Sequence, residues 1–331
     1  MTPPTSTSQR TPAVSVIMPA FRVTEYIAEA LDSVLAQTFR DYEIIVVNDG
    51  CPDTVNLERV LQPYFGGIVY LKQENGGLAS ARNAGIRASR APLLALLDPD
   101  DIWEPDNLEV QVGIMRNEPS IDVLYPNAVY FGDTPLAGRQ FMDVCPSNGE
   151  VTFLKLLRVE CEVFGNVMAR REKIIRAGMY DPSLRSVEDY DLWLRIAKQG
   201  GRIAYHRKPL QRYRMRKGNL SADPVWMHQN VLTVLNKVGA TMELTSEELD
   251  TLNEATRHRR ALLELELGRR AFFIGDTDAA YAHLETANRY LRRKKLAVIL
   301  VLLRHAPSLL LWISLLRERR GSLFSTKSKV A

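Results

Sequence analysis

Two acidic clusters have residue types and positions that could place two kinds of carboxylate in one site. The first contains Asp98, Asp100 and Asp101, which are three carboxylates within four residues, and the second is Glu188-Asp189. Oxygen-rich clusters suit Mg²⁺ or Mn²⁺, which can also bind a diphosphate. A separate carboxylate can act as a general base. The clusters therefore predict a metal-binding set and a base, provided that the fold brings them together.

A structural interpretation stays open for each cluster. The run from Asp98 to Asp101 could be a solvated Asp-Pro turn that caps the next helix. Glu188 and Asp189 open a predicted helix over 188–198, where the helix dipole favours anions. Asp189 becomes a candidate base only if it faces the cleft.

A glycine-rich segment that runs into a helix of small residues is another candidate for ligand binding. Asn75-Gly76-Gly77 precedes the run Ala81-Arg82-Asn83-Ala84-Gly85, and small residues let a ligand approach the backbone closely. Arg82 could contact a nucleotide base or phosphate, or it could form an ion pair at a tight junction. The glycine spacing does not match the dinucleotide fingerprint, which argues against a Rossmann oxidoreductase.

The segment from Arg202 to Lys217 is strongly basic, with seven Lys/Arg and no acidic residue. Tyr213-Arg214 and Arg216-Lys217-Gly218 form its end. A flexible basic loop can hold a pyrophosphate and stabilise it as a leaving group. The alternative is a solvated basic strand at the edge of a sheet.

Alternating strands and helices over residues 14–97 must position these side chains. Short apolar runs predict strands at 14–19, 42–47, 68–71 and 93–97, and helical spacing predicts helices at 24–38, 54–62 and 80–89. Thr24 is the expected cap of the first helix. The alternation predicts a mostly parallel sheet, in which ligands bind beyond the carboxyl ends of the strands. Asp49 and the 98–101 run lie at two such ends.

The bulk composition indicates a globular protein with one larger domain and an appendage. The chain has 331 residues, of which 46% are hydrophobic and 25% charged. Its three cysteines include no CxxC pair, so we expect no zinc site and no disulfide framework, as in a reducing cytoplasm. The Thr/Ser/Pro-rich start has no apolar core, so residues 1–12 are expected to be a loose tail and not a signal peptide.

Residues 13 to about 222 resemble family-2 glycosyltransferases of the GT-A fold. Six motifs follow one another in the order typical of that family, and they are Val14–Phe21, Glu43–Gly50, Asn75–Gly77 with Ala81–Gly85, Leu97–Trp103, Val187–Arg195, and Tyr213-Arg214 followed by Ser221. Each motif alone is weak, but their common order is specific. The resemblance covers about two-thirds of the chain.

The resemblance implies a role for each candidate residue. Six residues would surround the donor nucleotide, with Asp98 near the ribose, and they are Pro19, Ala20, Phe21, Asp49, Arg82 and Asp98. Asp100 would bind a Mg²⁺ or Mn²⁺ ion on the diphosphate, and Asp189 would be the general base. Arg214 and Arg216 would lie in a loop that folds over the pyrophosphate.

Three positions depart from the family's usual pattern. Phe21 stands where a tyrosine is frequent, and Cys51 follows Asn-Asp-Gly where serine is usual. Met215-Arg216 occupies a segment that often carries a histidine. These departures concern the contacts to the base edge and the closure of the loop, and they leave the expected fold unchanged.

The expected fold class is α/β, with a GT-A type, Rossmann-like, mostly parallel sheet flanked by helices and an all-helical C-terminal extension. We expect the GT-A domain at 13–225 and the helical region at 226–331. Within the latter, residues 262–291 weakly resemble one tetratricopeptide-type helix pair, for which plain helical packing is the favoured explanation.

The resemblance implies an inverting glycosyltransferase that moves a sugar from a nucleotide-diphospho-sugar, expected to be a UDP-sugar, to a hydroxyl on a glycan or lipid-linked acceptor. The expected context is synthesis of a bacterial surface polysaccharide or glycolipid of the cell envelope. Two alternatives are a non-catalytic nucleotide-binding or scaffold protein and a sugar nucleotidyltransferase. A nucleotidyltransferase would release pyrophosphate where a UDP-sugar transferase releases UDP.

The C-terminal segment is basic and partly apolar. From Arg289 onward it contains eleven Lys/Arg and one acid, so its formal charge is +10 and the rest of the chain carries −6 of the total +4. Residues 296–316 are long enough to span a bilayer, but Arg304, His305 and Pro307 interrupt them. We therefore expect residues 289–320 to lie on an anionic membrane at the cytoplasmic face, with packing onto the protein as the alternative. No nucleic-acid partner is expected.

Overall fold

The computed structural model of the chain describes residues 10–216, 219 and 222–306. These residues form two compact units. The first unit contains the chain up to Phe153 and again from Cys161 to the end of the last strand. The second contains Leu154–Glu160 together with the helices that follow the last strand.

A sheet of eight strands forms the centre of the first unit. The strands are β1 (Val14–Ala20), β2 (Tyr42–Asp49), β3 (Ile68–Gln73), β4 (Leu93–Leu96), β5 (Ile102–Trp103), β6 (Ile121–Gly132), β7 (Met168–Arg170) and β8 (Arg202–Met215). Their order across the sheet is β3-β2-β1-β4-β7-β6-β8-β5. The first four strands are mutually parallel, as is the β6–β8 pair, whereas β7 is antiparallel to β4 and β6, and β5 is antiparallel to β8. The predicted α/β class is confirmed, with a mixed sheet.

Helices cover both faces of this sheet. They are α1 (Ile27–Leu35), α2 (Thr54–Leu61), α3 (Leu78–Ala88), α4 (Asn107–Asn117), α5 (Phe141–Val144), α7 (Arg171–Arg176) and α8 (Glu188–Lys198), whereas α6 (Phe153–Leu157) belongs to the second unit from Leu154 onward. The central strands β1 and β4 are buried along their whole length, which explains why they read as continuous apolar runs. The main core cluster joins β1, β2 and β4 to α1, α2 and α4, and a smaller cluster joins β2 to α3.

The helix that follows the glycine-rich loop packs tightly on the sheet because of Gly85. A Cβ atom at Gly85 would lie 2.4 Å from Ile17 Cγ2 of β1. Any larger residue would push α3 away from the strand. The small residues of this helix therefore serve close packing, which fixes the position of Arg82 one turn earlier.

The first helix does not have its expected cap. It begins at Ile27, its N-cap residue is Tyr26, and Thr24 Oγ1 has no hydrogen-bond partner among the described residues. The N–H groups of Tyr26 and Ile27 donate to the Val23 carbonyl instead. The predicted Thr24 cap is therefore wrong, because a backbone turn supplies the acceptor that the side chain was expected to supply.

The second unit is helical, as expected for the C-terminal region. Its long helices are α9 (Pro224–Thr241), α10 (Ser246–Phe273), α11 (Thr277–Leu291) and α12 (Lys294–His305). Thr245 and Glu248 form a capping box at the start of α10. A compact apolar cluster joins α10, α11 and α12, and Gly268 lets α10 approach Leu284 of α11 closely.

None of the helices in the described part of the chain combines the length and the apolar composition that crossing a bilayer requires. Residues 307–320 of the expected membrane-associating segment lie outside the described residues, as do Lys217, Gly218 and Ser221.

Candidate active site

The carboxyl ends of the parallel strands bring most of the predicted nucleotide-binding residues to one edge of the sheet. Ala20 at the end of β1 pairs with Asn48 of β2, and Asp98 follows β4, which pairs with β1 on its other side. Pro19 and Ala20 are buried in the strand, whereas the Phe21 ring is 38% exposed and lies under the Arg22 guanidinium. Phe21 is therefore the residue of this trio whose side chain a ligand can reach.

Asp49 is buried and its carboxylate holds the glycine-rich loop. Its Oδ1 accepts hydrogen bonds from Gln73 Nε2 at 2.7 Å and from the Gly76 N–H at 2.9 Å, and its Oδ2 accepts one from the Gly77 N–H at 2.8 Å. Gly77 has a φ of 85°, a left-handed conformation that glycine adopts without strain. These bonds shape the loop that leads into α3, so the carboxylate faces protein donors.

The acidic run that follows β4 is largely buried. The side chain of Asp98 is 29% exposed and that of Asp100 is 17% exposed, while Asp101 is 1% exposed. Asp101 accepts hydrogen bonds from Asn166 Nδ2 at 2.6 Å and from the Arg214 N–H at 2.8 Å. Burial, and then the charge of Asp98, raise the pKa of both Asp100 and Asp101. The burial of these side chains counts against the interpretation of residues 98–101 as a solvated turn. The three carboxylates instead concentrate negative charge in a largely buried turn.

Asn166 is a buried member of this cluster that sequence reasoning missed. Its Oδ1 accepts a hydrogen bond from the Asp98 N–H at 2.8 Å, and its Nδ2 donates to Asp101. It therefore fixes both ends of the acidic turn. A single asparagine far along the chain carries no motif, and only the fold shows its role.

The second acidic cluster begins α8 in a strained backbone. Val187 precedes it with a φ of 54°, a left-handed conformation that is rare for a β-branched residue. Glu188 is 4% exposed and accepts a hydrogen bond from Arg82, whereas Asp189 is half-buried. Burial, and then the charge of Glu188, raise the pKa of Asp189 to about 7, although Arg82 and the Tyr190 N–H act in the opposite direction.

Arg82 connects the two acidic clusters. Its Nη1 lies 2.5 Å from Glu188 Oε1, and its Nη2 lies 2.8 Å from Asp98 Oδ1. The side chain is 2% exposed, and its guanidinium lies over the Tyr180 ring. The fold thus brings the two acidic clusters together around one buried cation. Of the two roles that the sequence leaves open for Arg82, ligand contact or an ion pair, the structure shows ion pairs.

Arg214, which the sequence predicts in a loop, lies in β8 because this segment pairs with β6, and the basic end of the strand reaches the acidic turn. Arg214 Nε donates to the Asp100 carbonyl at 2.7 Å, and Arg216 Nε donates to Asp100 Oδ2 at 2.8 Å. Both guanidinium groups lie over the Tyr26 ring, at 5.0 and 5.1 Å from its centroid, and Arg214 also pairs with Glu29. Tyr26 and Glu29, which sequence reasoning missed, hold the arginines from the start of α1.

The donor set at the acidic turn fits a divalent cation. Among residues 10–216, 219 and 222–306, no group of three or more His, Cys, Asp or Glu side chains is arranged to hold a metal. Asp100 nevertheless offers hard carboxylate oxygens beside Asp98, and its pKa is raised first by burial and then by repulsion from the charge of Asp98. A divalent ion would offset that repulsion, so Asp100 is the residue that would hold it.

The comparisons with known proteins concern the family and the fold of the chain. The profile described as Glycosyl transferase family 2 matches residues 15–176. An uncharacterized glycosyltransferase of Methanocaldococcus jannaschii is 30% identical over 211 residues, which are 62% of this chain and 71% of that relative. A chondroitin synthase of Escherichia coli is 27% identical over 211 residues, or 61% of this chain and 30% of that protein.

Several relatives are much longer than the matched region. Similar glycosyltransferases of Rickettsia felis, Rickettsia bellii and Rickettsia conorii are 32–34% identical, and the chain spans 32%, 27% and 31% of their lengths.

Solved structures share the fold at low sequence identity. S. aureus TarS 1–349 in complex with UDP-GlcNAc has a TM-score of 0.61 at 16% identity, covering 88% of this chain and 87% of that one. The mannosyltransferase PcManGT from Pyrobaculum calidifontis, in complex with GDP-Man and Mn²⁺, has a TM-score of 0.59 at 19% identity, covering 89% and 85%. These solved structures share the fold of this chain, and the profile match together with the Methanocaldococcus relative leads to one conclusion: the chain belongs to glycosyl transferase family 2.

Proposed function

We propose that the chain is an inverting glycosyltransferase that moves a sugar from a nucleotide-diphospho-sugar, best matched by a UDP-sugar, to a hydroxyl acceptor. The observation that carries this proposal is the position of Asp189, whose raised pKa of about 7 suits a general base and which adjoins the cluster that contains Asp98. The TarS and PcManGT structures contain UDP-GlcNAc and GDP-Man, which supports a nucleotide-sugar donor.

The proposed reaction is a single displacement at the anomeric carbon. Asp189 accepts the proton of the acceptor hydroxyl as the oxygen forms its bond to that carbon. The bond from the anomeric carbon to the diphosphate breaks on the opposite face, and the nucleotide diphosphate leaves with its electron pair, which inverts the centre. Arg214 and Arg216 stabilise the charge that the leaving group gains. A divalent ion held by Asp100 would supply further stabilisation of that charge when bound.

The donor is assigned to the strand ends and the acceptor to the side of α8. Pro19, Ala20 and Phe21 lie beside the nucleotide base in this assignment. Asp49 contributes indirectly, because its carboxylate holds the loop at Gly76 and Gly77. Arg82 acts on the donor through Asp98, which lies next to the ribose in this assignment.

The biological product is proposed to be a bacterial surface polysaccharide or glycolipid. The relative named chondroitin synthase supports a polysaccharide product. The exposed basic residues at the start of α12 support binding to an anionic membrane surface, where a lipid-linked acceptor would be available.

A nucleotide-release screen tests the proposal. Purified protein is incubated with a panel of sugar nucleotides and hydroxyl acceptors, with Mn²⁺ or Mg²⁺, and the released nucleotide is measured beside inorganic pyrophosphate. We expect UDP release that depends on the acceptor, and a loss of about 10²–10⁴-fold in kcat for Asp189→Asn while donor binding persists. Release of pyrophosphate would indicate a nucleotidyltransferase, and donor binding without turnover on any acceptor would indicate a scaffold protein.

A further inference from the structure

Arg82 is enclosed on every side by protein groups. Its guanidinium lies 5.4 Å from the centroid of the Tyr180 ring, and a Cβ atom at Gly165 would lie 2.7 Å from its Nη2. Burial alone would lower the pKa of Arg82, but the charges of Asp98 and Glu188 more than offset this and raise it. The guanidinium is therefore a fixed, permanently charged part of the interior.

The two carboxylates that Arg82 binds come from distant parts of the chain. Asp98 lies 16 residues away and follows β4, whereas Glu188 lies 106 residues away and is the first residue of α8. A guanidinium is planar and presents its N–H groups in a rigid fork. One side chain therefore sets the separation between the strand end on the donor side and the first turn of the helix that carries Asp189.

We propose that Arg82 and Glu188 are positioning residues that hold Asp189 in register with Asp98, so that the base and the donor-side carboxylate keep a fixed separation. This inference rests on the proposed function and adds two residues to its machinery. Neither residue needs to touch a substrate, since Arg82 acts through Asp98 on one side and through Glu188 on the other.

The charges around Asp189 give the arrangement a second consequence. The groups that act on it are Glu188, Arg82 and Asp98, together with the buried Tyr180, whose own pKa is raised by burial. Three acidic side chains thus share one cation, which leaves an excess of negative charge around the base. Removing the charge of Glu188 should make Asp189 a weaker base and change its position at the same time.

The first test compares Glu188→Gln with a matched control, Glu172→Gln. Glu172 lies in the first turn of α7 and is exposed, so its substitution changes the same chemical group outside the cluster. For Glu188→Gln we expect kcat to fall about tenfold to a hundredfold, the donor KM to stay within about twofold, and the acidic limb of the kcat–pH profile to move to lower pH. Glu172→Gln should match the wild type in all three.

A second set of variants separates positioning from folding. Arg82→Lys keeps the charge but lacks the fork, so it can reach only one of the two carboxylates. The double variant Arg82→Met/Glu188→Gln removes both buried charges together and avoids leaving one of them unpaired. We expect both to fold by circular dichroism and both to show a lowered kcat. The double variant should also show a raised donor KM, because Asp98 loses its partner there.

The bridge, by which Arg82 and Glu188 hold Asp189 in register with Asp98, can be tested separately from the proposed function. Wild-type kinetics and an unmoved pH limb in Glu188→Gln would overturn the bridge, as would a loss of activity that only follows the loss of folded protein. A wild type that releases no nucleotide from any donor would contradict the proposed function. Calorimetric binding of UDP with Mn²⁺ then decides the bridge, which is overturned if Arg82→Met/Glu188→Gln binds UDP as tightly as Glu172→Gln.

Discussion

At the scale of single residues, Asp189 is unfavourable for stability in the ionised form that the proposed reaction requires. Its pKa is raised from 3.8 to about 7, so the folded protein holds this proton more tightly than the unfolded chain does. The free energy of unfolding therefore falls as the pH rises from about 4 to about 7, and the penalty is complete above that range.

The pH dependence of Asp189→Asn should show this penalty directly. We expect Asp189→Asn to be more stable than the wild type by about 1–3 kcal/mol at pH 8 and equal to it near pH 3.5, measured by urea unfolding. The kcat of the wild type should rise with pH through about 7 and then level off, because the base must be deprotonated. Equal stabilities at pH 8 would show that the proton affinity of Asp189 is not raised.

Asn166 should matter for stability as well as for donor binding. Its side chain is 3% exposed and holds both Asp98 and Asp101. Asn166→Ala would leave buried polar groups without partners, so we expect a loss of about 2–3 kcal/mol in unfolding free energy and a raised donor KM. The exposed Asn56 provides the control, since Asn56→Ala should cost less than about 0.5 kcal/mol. Equal costs at the two positions would contradict the role of Asn166.

At the scale of elements, the start of α8 depends on the left-handed backbone of Val187. A β-branched residue in this region stores roughly 1–3 kcal/mol of strain. Val187→Gly removes the strain but frees the backbone before Asp189. We expect stability to change by less than about 1 kcal/mol while kcat falls several-fold, measured by thermal unfolding and nucleotide release. An unchanged kcat would show that the turn does not position Asp189.

The sequence predicts the elements well where a periodic pattern is long enough to be visible. The runs that became β1, β2 and β4 are apolar over four or more residues, and their order indicates a parallel sheet. The strand β7 has three residues and β5 has two, so neither can show a period. The antiparallel half of the sheet therefore depends on contacts that only the folded chain makes.

The same limit applies to the candidate site. The residue types at Asp98, Asp100 and Asp189 indicate acidic chemistry by themselves, but their partners lie far away in the chain. Asn166, Tyr26 and Glu29 carry no motif, because an isolated polar residue gives no signal until packing places it. Asp49 shows the opposite case, since its type is typical of ligand binding while its carboxylate binds the glycine-rich loop.

At the scale of the whole molecule, the basic start of α12 is the part expected to meet a membrane. Lys294 and Lys295 are exposed there, and Val298 and Val301 are each 60% exposed. Each basic residue near an anionic surface contributes about 1 kcal/mol. We expect Lys294→Gln/Lys295→Gln to reduce co-flotation with phosphatidylserine vesicles about tenfold or more. Lys72→Gln, at an exposed lysine of the first unit, should float like the wild type. Equal recovery of all three proteins would contradict the membrane proposal.

The short stretch Leu154–Glu160 belongs to the helical unit although it lies in the middle of the first unit's sequence. Its Leu156 and Leu157 are buried, and Arg158 donates a hydrogen bond to Thr251 of α10. The second unit is thus built from two separate stretches of the sequence, so neither a single stop codon nor a single proteolytic cut separates the two units. A fragment that ends at Arg216 would expose these leucines and should aggregate on size-exclusion chromatography. Recombination among related enzymes would have to exchange two separate stretches of coding sequence to replace either unit intact.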